Sequence, residues 1–426
     1  MPPEVTVPPE AAGQPDALTW LLSPAGSVAL SRIHPLTGDL ALDATGDPLA
    51  LVTALRAEGY DEQQAAALAT QRRLREQARP RMGERVDRWL FTPEGAQQVT
   101  RPEVARHRAD RYRAAAPDEV IDLGCGLGSD LDALSTVADA VGVEQDRATA
   151  LMAAHNVPAA LVVTETAESY VARTRPGRTT AVFADPGRRR GGRRVLDPDR
   201  WSPPLPWVMG LPFDDLGIKV APGIDHALVP EGWETEVVSA DGDVVEAALY
   251  RGGLRTTGAR RRATLLRRAQ RDDPDGPILT HTLTDGDLPA GDPAVVPVGP
   301  VGAFLYEPDG AVIRAGLVAA VVVQVAGRLL DPTIAYVTAD TLVACPFATA
   351  YRVEDVLPFS LKRLRAAVRA LDARSVTIKK RGSAVDPEQL RRQLRLRREG
   401  TREVVVVLTR RVGRPIAVVG SRIDPP

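Results

Sequence analysis

Hydrophobic and polar positions follow a helical period in the first quarter of the chain and a strand period after it. From about Asp16 to Ala115 apolar residues recur at helical spacing, and stretches such as Asp61 to Gln77 are rich in alanine and poor in β-branched residues. That pattern predicts a helical part. Within it, Thr92-Pro93-Glu94 and Thr100-Arg101-Pro102-Glu103 read as helix starts, each with threonine as the N-cap and a carboxylate in the first turn.

From Glu119 the pattern changes. Apolar runs of strand length at Val120–Leu123, Ala140–Val143, Ala160–Val163 and Ala181–Ala184 alternate with helical stretches or turns. This predicts a parallel, doubly wound α/β sheet of the Rossmann kind. Further strands are predicted at Leu216–Val220, Glu234–Ser239, Val244–Tyr250 and Ala263–Leu266, with a hairpin at Asp241-Gly242 and hence an antiparallel edge. Arg271–Gly276 and Thr284–Pro300 read as loops. A third unit from about Phe347 has a helix at Pro358–Leu371, a strand at Ser375–Ile378 and a helix opening at Asp386-Pro387-Glu388. Strands at Glu403–Leu408 and Ile416–Val419 close a small α+β module.

Composition adds bounds. The chain has 426 residues, 44% hydrophobic and 26% charged, which predicts a globular protein of two or three domains. Residues 1–14 are rich in proline and alanine without a basic or apolar signal region, and read as a disordered tail. The longest apolar run, Gly316 to Gly327, is too short to span a bilayer and carries Gln324. Two cysteines, Cys125 and Cys345, make neither a disulfide framework nor a zinc site, and the five histidines show no metal spacing. A cytoplasmic protein without metal or membrane attachment is the expectation; oligomeric state is not legible. The charge is unevenly divided. From Leu361 onward 18 Lys and Arg stand against 6 Asp and Glu, in a chain whose net charge is −1. Such a division is expected where one part touches a polyanion. Only four of the 54 basic residues are lysines, a bias that a GC-rich genome explains without function.

The chemistry concentrates on Val120-Ile-Asp-Leu-Gly-Cys-Gly-Leu-Gly-Ser-Asp130, an apolar strand running into a glycine-rich turn and a helix. Gly124, Gly126 and Gly128 let backbone approach a ligand, and the following helix offers unpaired N–H groups. A dinucleotide site would use the same turn, but its fingerprint wants glycine or alanine where Ser129 stands. Glu144, 20 residues past Gly124, would serve a ribose diol in either case. Asp122, two residues ahead of the first glycine, discriminates between the two. Ala181-Val-Phe-Ala-Asp-Pro-Gly-Arg-Arg189 then puts Asp185 and Pro186 at the carboxyl end of the fourth strand, the edge where α/β sheets hold ligands. Arg188-Arg-Arg-Gly-Gly-Arg-Arg194 is the densest basic run and could clamp phosphates. Trp201, Trp207 and Phe213 follow closely, and Lys219 and Asp225 could line the same cleft.

The Asp-x-Gly-x-Gly-x-Gly pattern resembles the first motif of class I S-adenosylmethionine-dependent methyltransferases. Val141–Asp146 and Val163–Ala167 are similar to the second and third motifs in order. More narrowly, Phe91-Thr-Pro-Glu-Gly, Val104 to Ala109, Lys219-Val-Ala-Pro-Gly, Tyr306-Glu-Pro-Asp-Gly310 and Ile378-Lys-Lys-Arg-Gly382 resemble bacterial members with a C-terminal THUMP-like domain, distant relatives of trimethylguanosine synthase. The resemblance implies a helical domain over 15–115, a methyltransferase domain over 116–345 and a ferredoxin-like, THUMP-like basic α+β domain over 346–426. It implies a sheet of about seven strands with one reversed edge strand.

By the same resemblance S-adenosylmethionine is the cofactor, held by Asp122, Gly124, Cys125, Gly126, Gly128, Glu144, Gln145, Glu165 and Thr166. Catalysis would fall to Asp185, Pro186, Gly187 and Arg188, although relatives that methylate amines carry a second proline and an aromatic where Gly187 and Arg188 stand. Base stacking would then come from Trp201, Trp207, Phe213 or the Arg188 guanidinium plane. Arg189, Arg190, Trp201, Lys219, Lys379, Lys380 and Arg381 are the expected substrate contacts, with Arg391, Arg392, Arg395 and Arg398 as a further basic face. The expected reaction is methylation of a base amino group in a structured RNA. A small-molecule methyltransferase, an RNA-binding protein that keeps the fold without catalysis, and a nicotinamide enzyme are the alternatives.

Overall fold

The computed structural model describes residues 16–33, 48–174, 179–190, 193–256, 258–269, 276–288, 296–396 and 400–423. The expected tail over residues 1–14 and Arg398 lie outside them. The chain divides into two compact units between Phe213 and Asp214.

The first unit opens with six helices: α1 (Ala17–Leu21), α2 (Pro24–Arg32), α3 (Pro48–Ala57), α4 (Glu62–Met82), α5 (Pro93–Gln98) and α6 (Pro102–Ala115). Asp61 and Gln64 form a capping box that starts α4, whose Ala65, Leu68, Leu74 and Ala78 form a fully buried stripe. Thr92 caps α5 as expected, accepting from the Gly95 N–H. Thr100 does not cap α6. Arg101 holds that position without capping the helix through its side chain, while the Thr100 hydroxyl donates to Asp130 at 2.7 Å.

Four parallel strands follow, β1 (Glu119–Leu123), β2 (Asp139–Glu144), β3 (Leu161–Thr164) and β4 (Thr180–Ala184), ordered β4-β1-β2-β3. Leu123 registers with Val143 on one side and Ala184 on the other, so the carboxyl ends of β1, β2 and β4 lie level. Helices α7 (Ser129–Leu134), α8 (Arg147–Asn156) and α9 (Ala167–Arg173) make the crossovers. The helical part and this sheet share one core. The buried Asn156 amide bonds both polar backbone groups of Leu90 and the Leu127 carbonyl. After β4 come a two-residue ladder, β5 (Arg189–Arg190) with β6 (Arg193–Arg194), and α10 (Leu205–Met209).

The second unit begins with β7 (Asp215–Val220), β8 (Glu234–Ala240), β9 (Asp243–Arg251), β10 (Arg261–Arg268) and β11 (Ile278–Thr284), ordered β11-β10-β8-β9-β7. The Asp241-Gly242 hairpin is present, both residues at positive φ, as two-residue turns require. The reversed strand it creates is no edge: β9 pairs antiparallel with both β7 and β8. The unit's own antiparallel edge is β11, which alternation in Ile278–Thr284 did not reveal.

A second sheet holds β12 (Phe304–Pro308), β13 (Arg328–Asp331), β14 (Ile334–Ala339), β15 (Ala348–Pro358), β16 (Ala373–Lys380), β17 (Arg402–Arg411) and β18 (Arg414–Arg422). Their order is β13-β14-β12-β15-β18-β17-β16, with β16–β17 the parallel pair. Helices α11 (Gly310–Arg314) and α12 (Val318–Gln324) lie between β12 and β13; α13 (Leu361–Ala370) and α14 (Pro387–Leu394) flank β16. Alternation along β17 divides two cores. Val404, Val406 and Leu408 meet Leu364, Val368, Leu390 and Leu394 under α13 and α14. Val405 and Val407 face Leu305, Tyr336 and Tyr351. The expected helix from Pro358 starts three residues later, because β15 runs through Pro358.

Candidate active site

The glycine turn is built as the sequence required. Gly124, Gly126 and Gly128 all have positive φ, at 81°, 55° and 91°. The Gly124 and Cys125 N–H groups donate to the Val143 carbonyl at 2.9 and 3.1 Å, which ties the turn to the end of β2. A Cβ on Gly124 would stand 3.2 Å from the Asp185 carbonyl oxygen, whereas one on Gly126 would meet nothing within 4 Å. The turn is therefore tight against the end of β4 and open where a ligand must come. The Asp185 N–H donates to the Leu123 carbonyl at 3.2 Å, continuing the strand pairing past the glycine turn.

Carboxylates surround the turn. Asp122 is buried, at 1% exposure. Half-buried Glu144 accepts from the Gly126 N–H at 3.1 Å and the Asp146 N–H at 2.9 Å, and burial pushes its carboxyl above the usual range. Burial pushes the Cys125 thiol well above its ordinary value, with Asp122 and Glu144 adding in the same direction. A negative field beside an open glycine turn suits a ligand that carries positive charge. Gln145 is exposed beside Glu144. Glu165 pairs with Arg173 at 2.7 Å, and Thr166 caps α9 through its hydroxyl.

At the end of β4, Asp185 is half-buried, Pro186 buried and Gly187 exposed. Both polar backbone groups of Gly187 are taken by Ser202, at 2.7 and 3.1 Å. Expected as part of the acceptor cradle, Gly187 instead closes a ladder. Trp201 likewise offers no open stacking face: it is 4% exposed and its indole N–H donates to the Val195 carbonyl at 3.1 Å. The Arg188 guanidinium lies 6.0 Å from its ring, so Trp201 supports Arg188 from below. The side chains of Arg189 and Arg190 lie outside the described residues.

A layer that the sequence did not reveal stands behind this site. Arg108, on α6 and 1% exposed, pairs with Asp130 on α7 and stacks 4.3 Å from the Phe183 ring on β4. Tyr112, one turn on, donates to the Val182 carbonyl at 2.8 Å. One helix thus grips both the helix that follows the glycine turn and the strand that leads into Asp185.

In the second unit Lys219 does not line an open cleft. It is 8% exposed and shares a sheet face with the buried Glu236, both registering with Ala248 of β9. Lys379 and Arg381, expected to contact substrate, turn instead to Glu307, at 3.3 and 3.5 Å. Glu307 also accepts from the Tyr351 hydroxyl at 2.9 Å. The Tyr306–Gly310 and Ile378–Gly382 motifs are partners of one another. Lys380 is exposed and donates to the Val385 carbonyl.

A Rossmann-type sheet with an acidic, glycine-lined turn at its carboxyl edge defines a class I nucleoside-cofactor fold. Comparison with known proteins narrows it. An uncharacterized S-adenosylmethionine-dependent methyltransferase of Mycobacterium tuberculosis, found in strains CDC 1551 and H37Rv, is 38% identical over 79% of this chain and 90% of its own length. The THUMP domain-like family matches residues 348–422, and a domain family of unknown function matches residues 14–78. The crystal structure of a Porphyromonas gingivalis W83 chain, put forward as a methyltransferase, covers 90% of this chain and all of its own at a TM-score of 0.69 and 20% identity, which shows a common fold. The chain belongs to the class I S-adenosylmethionine-dependent methyltransferases with a C-terminal THUMP-like domain, and its cofactor is S-adenosylmethionine. No helix among the described residues is long and apolar enough to cross a membrane.

Proposed function

We propose that this methyltransferase modifies a base amino group of a structured RNA and that Asp185 orients the acceptor. The observation that carries the reading is the seating of Asp185, whose backbone is fixed against both Leu123 and Gly124 of the cofactor turn. Its carboxylate therefore hangs from a backbone held against the cofactor turn.

The cofactor supplies an electrophilic methyl group on a sulfonium. The Asp122 carboxylate suits the ammonium of its amino-acid end. Glu144 spends two acceptor positions on Gly126 and Asp146, and an ionised carboxylate has about four, so two remain for ribose hydroxyls. Glu165 reaches the adenine side once its solvent-screened pair with Arg173 opens. Asp185 accepts one N–H of the amine, which turns the nitrogen lone pair toward the cofactor and favours the positive charge that develops there. Pro186 contributes its carbonyl to the same cradle. Arg188, braced on Trp201, lies against the plane of the base.

The test is a comparison of modified nucleosides in RNA from wild-type and deletion strains. Loss of one methylated amino nucleoside supports the reading, whereas identical profiles across all RNA classes argue for a small-molecule acceptor.

A further inference from the structure

The sequence pointed to Lys379, Lys380 and Arg381, with the Arg391, Arg392, Arg395 and Arg398 face beside them, as the RNA contact of the C-terminal module, but Lys379 and Arg381 are committed to Glu307. The cations left facing outward include Arg392 and Arg395 of that face. Helices α13 and α14 lay Leu364, Val368, Leu390 and Leu394 onto the sheet, and their opposite faces are basic. Lys362, Arg363, Arg369, Arg392 and Arg395 are exposed, and none makes an ion pair with another described residue. Between the two helices lies an open cleft of about 580 Å³, lined by Arg365, Asp386, Gln389, Arg392, Gln393 and Arg395.

The cleft has a built floor. Arg365 donates from two guanidinium nitrogens to the Gln393 carbonyl, at 3.1 and 2.6 Å, in the last turn of α14. That bond satisfies a carbonyl the helix end leaves open and fixes the spacing of the two helices. The one lining carboxylate, Asp386, is turned to the α14 backbone as an N-cap, accepting from the Gln389 N–H at 2.7 Å. Arg392 and Arg395, three apart on the chain, face the cleft with no such commitment.

We propose that this α13–α14 cleft is where the module binds the RNA phosphodiester backbone, with Arg392 and Arg395 as the contacting cations and Arg365 as the positioning residue. The volume suits one or two phosphate groups, and the planar guanidinium forks suit their paired oxygens. The Ile378–Gly382 motif then ties the module to Glu307 and leaves RNA contact to the helices. This deepens the RNA reading of the preceding section and rests on it.

The experiment is fluorescence anisotropy with a labelled RNA hairpin bearing a single-stranded tail, titrated from 0.05 to 1 M salt. The proteins are the full-length chain, its Arg392→Gln/Arg395→Gln variant and its Lys379→Gln variant. Each lost phosphate contact lowers the slope of log affinity against log salt by about 0.7–0.9. The double variant should therefore lose about 1.6 units of slope, which is about 20-fold weaker binding at 0.15 M salt, and should converge with the parent near 1 M. Lys379→Gln should keep the parental slope, and unchanged thermal midpoints in the double variant separate lost contacts from lost folding. A parental slope in the double variant overturns this site while leaving the RNA reading intact. Absence of RNA binding by the parent chain overturns both. Tighter binding of poly-glutamate than of the hairpin assigns the cleft to an acidic protein partner instead.

Discussion

Replacing Gly124 by alanine tests whether the cofactor turn and the acceptor carboxylate form one rigid unit. Two costs arise. At φ 81° the left-handed backbone costs an L-residue about 1–2 kcal/mol. The new methyl would also stand 3.2 Å from the Asp185 carbonyl, so that strand end must give by a few tenths of an ångström. Overpacking of this kind adds about 1–2 kcal/mol. The total, about 2–4 kcal/mol, corresponds to roughly 4–16 °C in the melting midpoint of a unit of this size. Gly126→Ala is the matched control. It carries a similar backbone cost at φ 55°, but its methyl points into open space. Gly126→Ala should therefore raise the KM for S-adenosylmethionine with kcat nearly kept. Gly124→Ala should lower kcat about tenfold or more, because it displaces Asp185. Steady-state kinetics with RNA from a deletion strain, alongside thermal melts, separates the two. Equal kcat in both variants would refute the coupling.

Other consequences are open to measurement. Arg108→Met removes the buried guanidinium that pairs with Asp130, and should cost about 3–5 kcal/mol in urea unfolding; a change below 1 kcal/mol would mean that the α6 clamp is dispensable. Glu307→Gln should cost about 1–2 kcal/mol, since Lys379 and Arg381 lose their charge partner while partly exposed to water. The same unfolding curves would show it. Burial, and then the Arg75 charge, hold His155 below the ordinary imidazole value of 6.5. Between the lowered value and 6.5 the unfolded chain binds a proton that the folded chain refuses, so stability rises with pH across that window and levels off above it. Melting midpoints at pH 5, 6 and 7 should flatten in His155→Gln, and an unchanged slope would contradict that assignment.

The parts of the fold that were legible in sequence are those whose signal is local. Strands β1, β2 and β4 are buried along nearly their whole length, so they read as unbroken apolar runs, and the valines of β17 do the same for two cores at once. The glycine turn announced itself because its positive-φ positions tolerate few residues other than glycine. Strand β15 escaped because its outer half, around Glu354 and Asp355, is exposed and reads as a polar loop. Strand β12 escaped because Glu307 and Pro308 break its apolar run, and the cations that make Glu307 tolerable there, Lys379 and Arg381, arrive more than 70 residues later. The same distance problem hid the roles of Lys379 and Arg381. Their type suggested phosphate contact, and only tertiary pairing shows them engaged with Glu307. Thr100 misled for a like reason, since a threonine ahead of a helix caps it unless a buried carboxylate such as Asp130 competes for its hydroxyl.

The central claim, that Asp185 orients an RNA amino group for methyl transfer, is tested most directly by labelled methyl transfer. Purified protein and its Asp185→Ala variant would be incubated with S-adenosylmethionine carrying a tritiated methyl group and with RNA from a deletion strain. The account predicts label in RNA with the parent chain, and a loss of about 100-fold or more with the variant despite retained cofactor affinity. Equal labelling by the two proteins, or label in the small-molecule fraction alone, would contradict it.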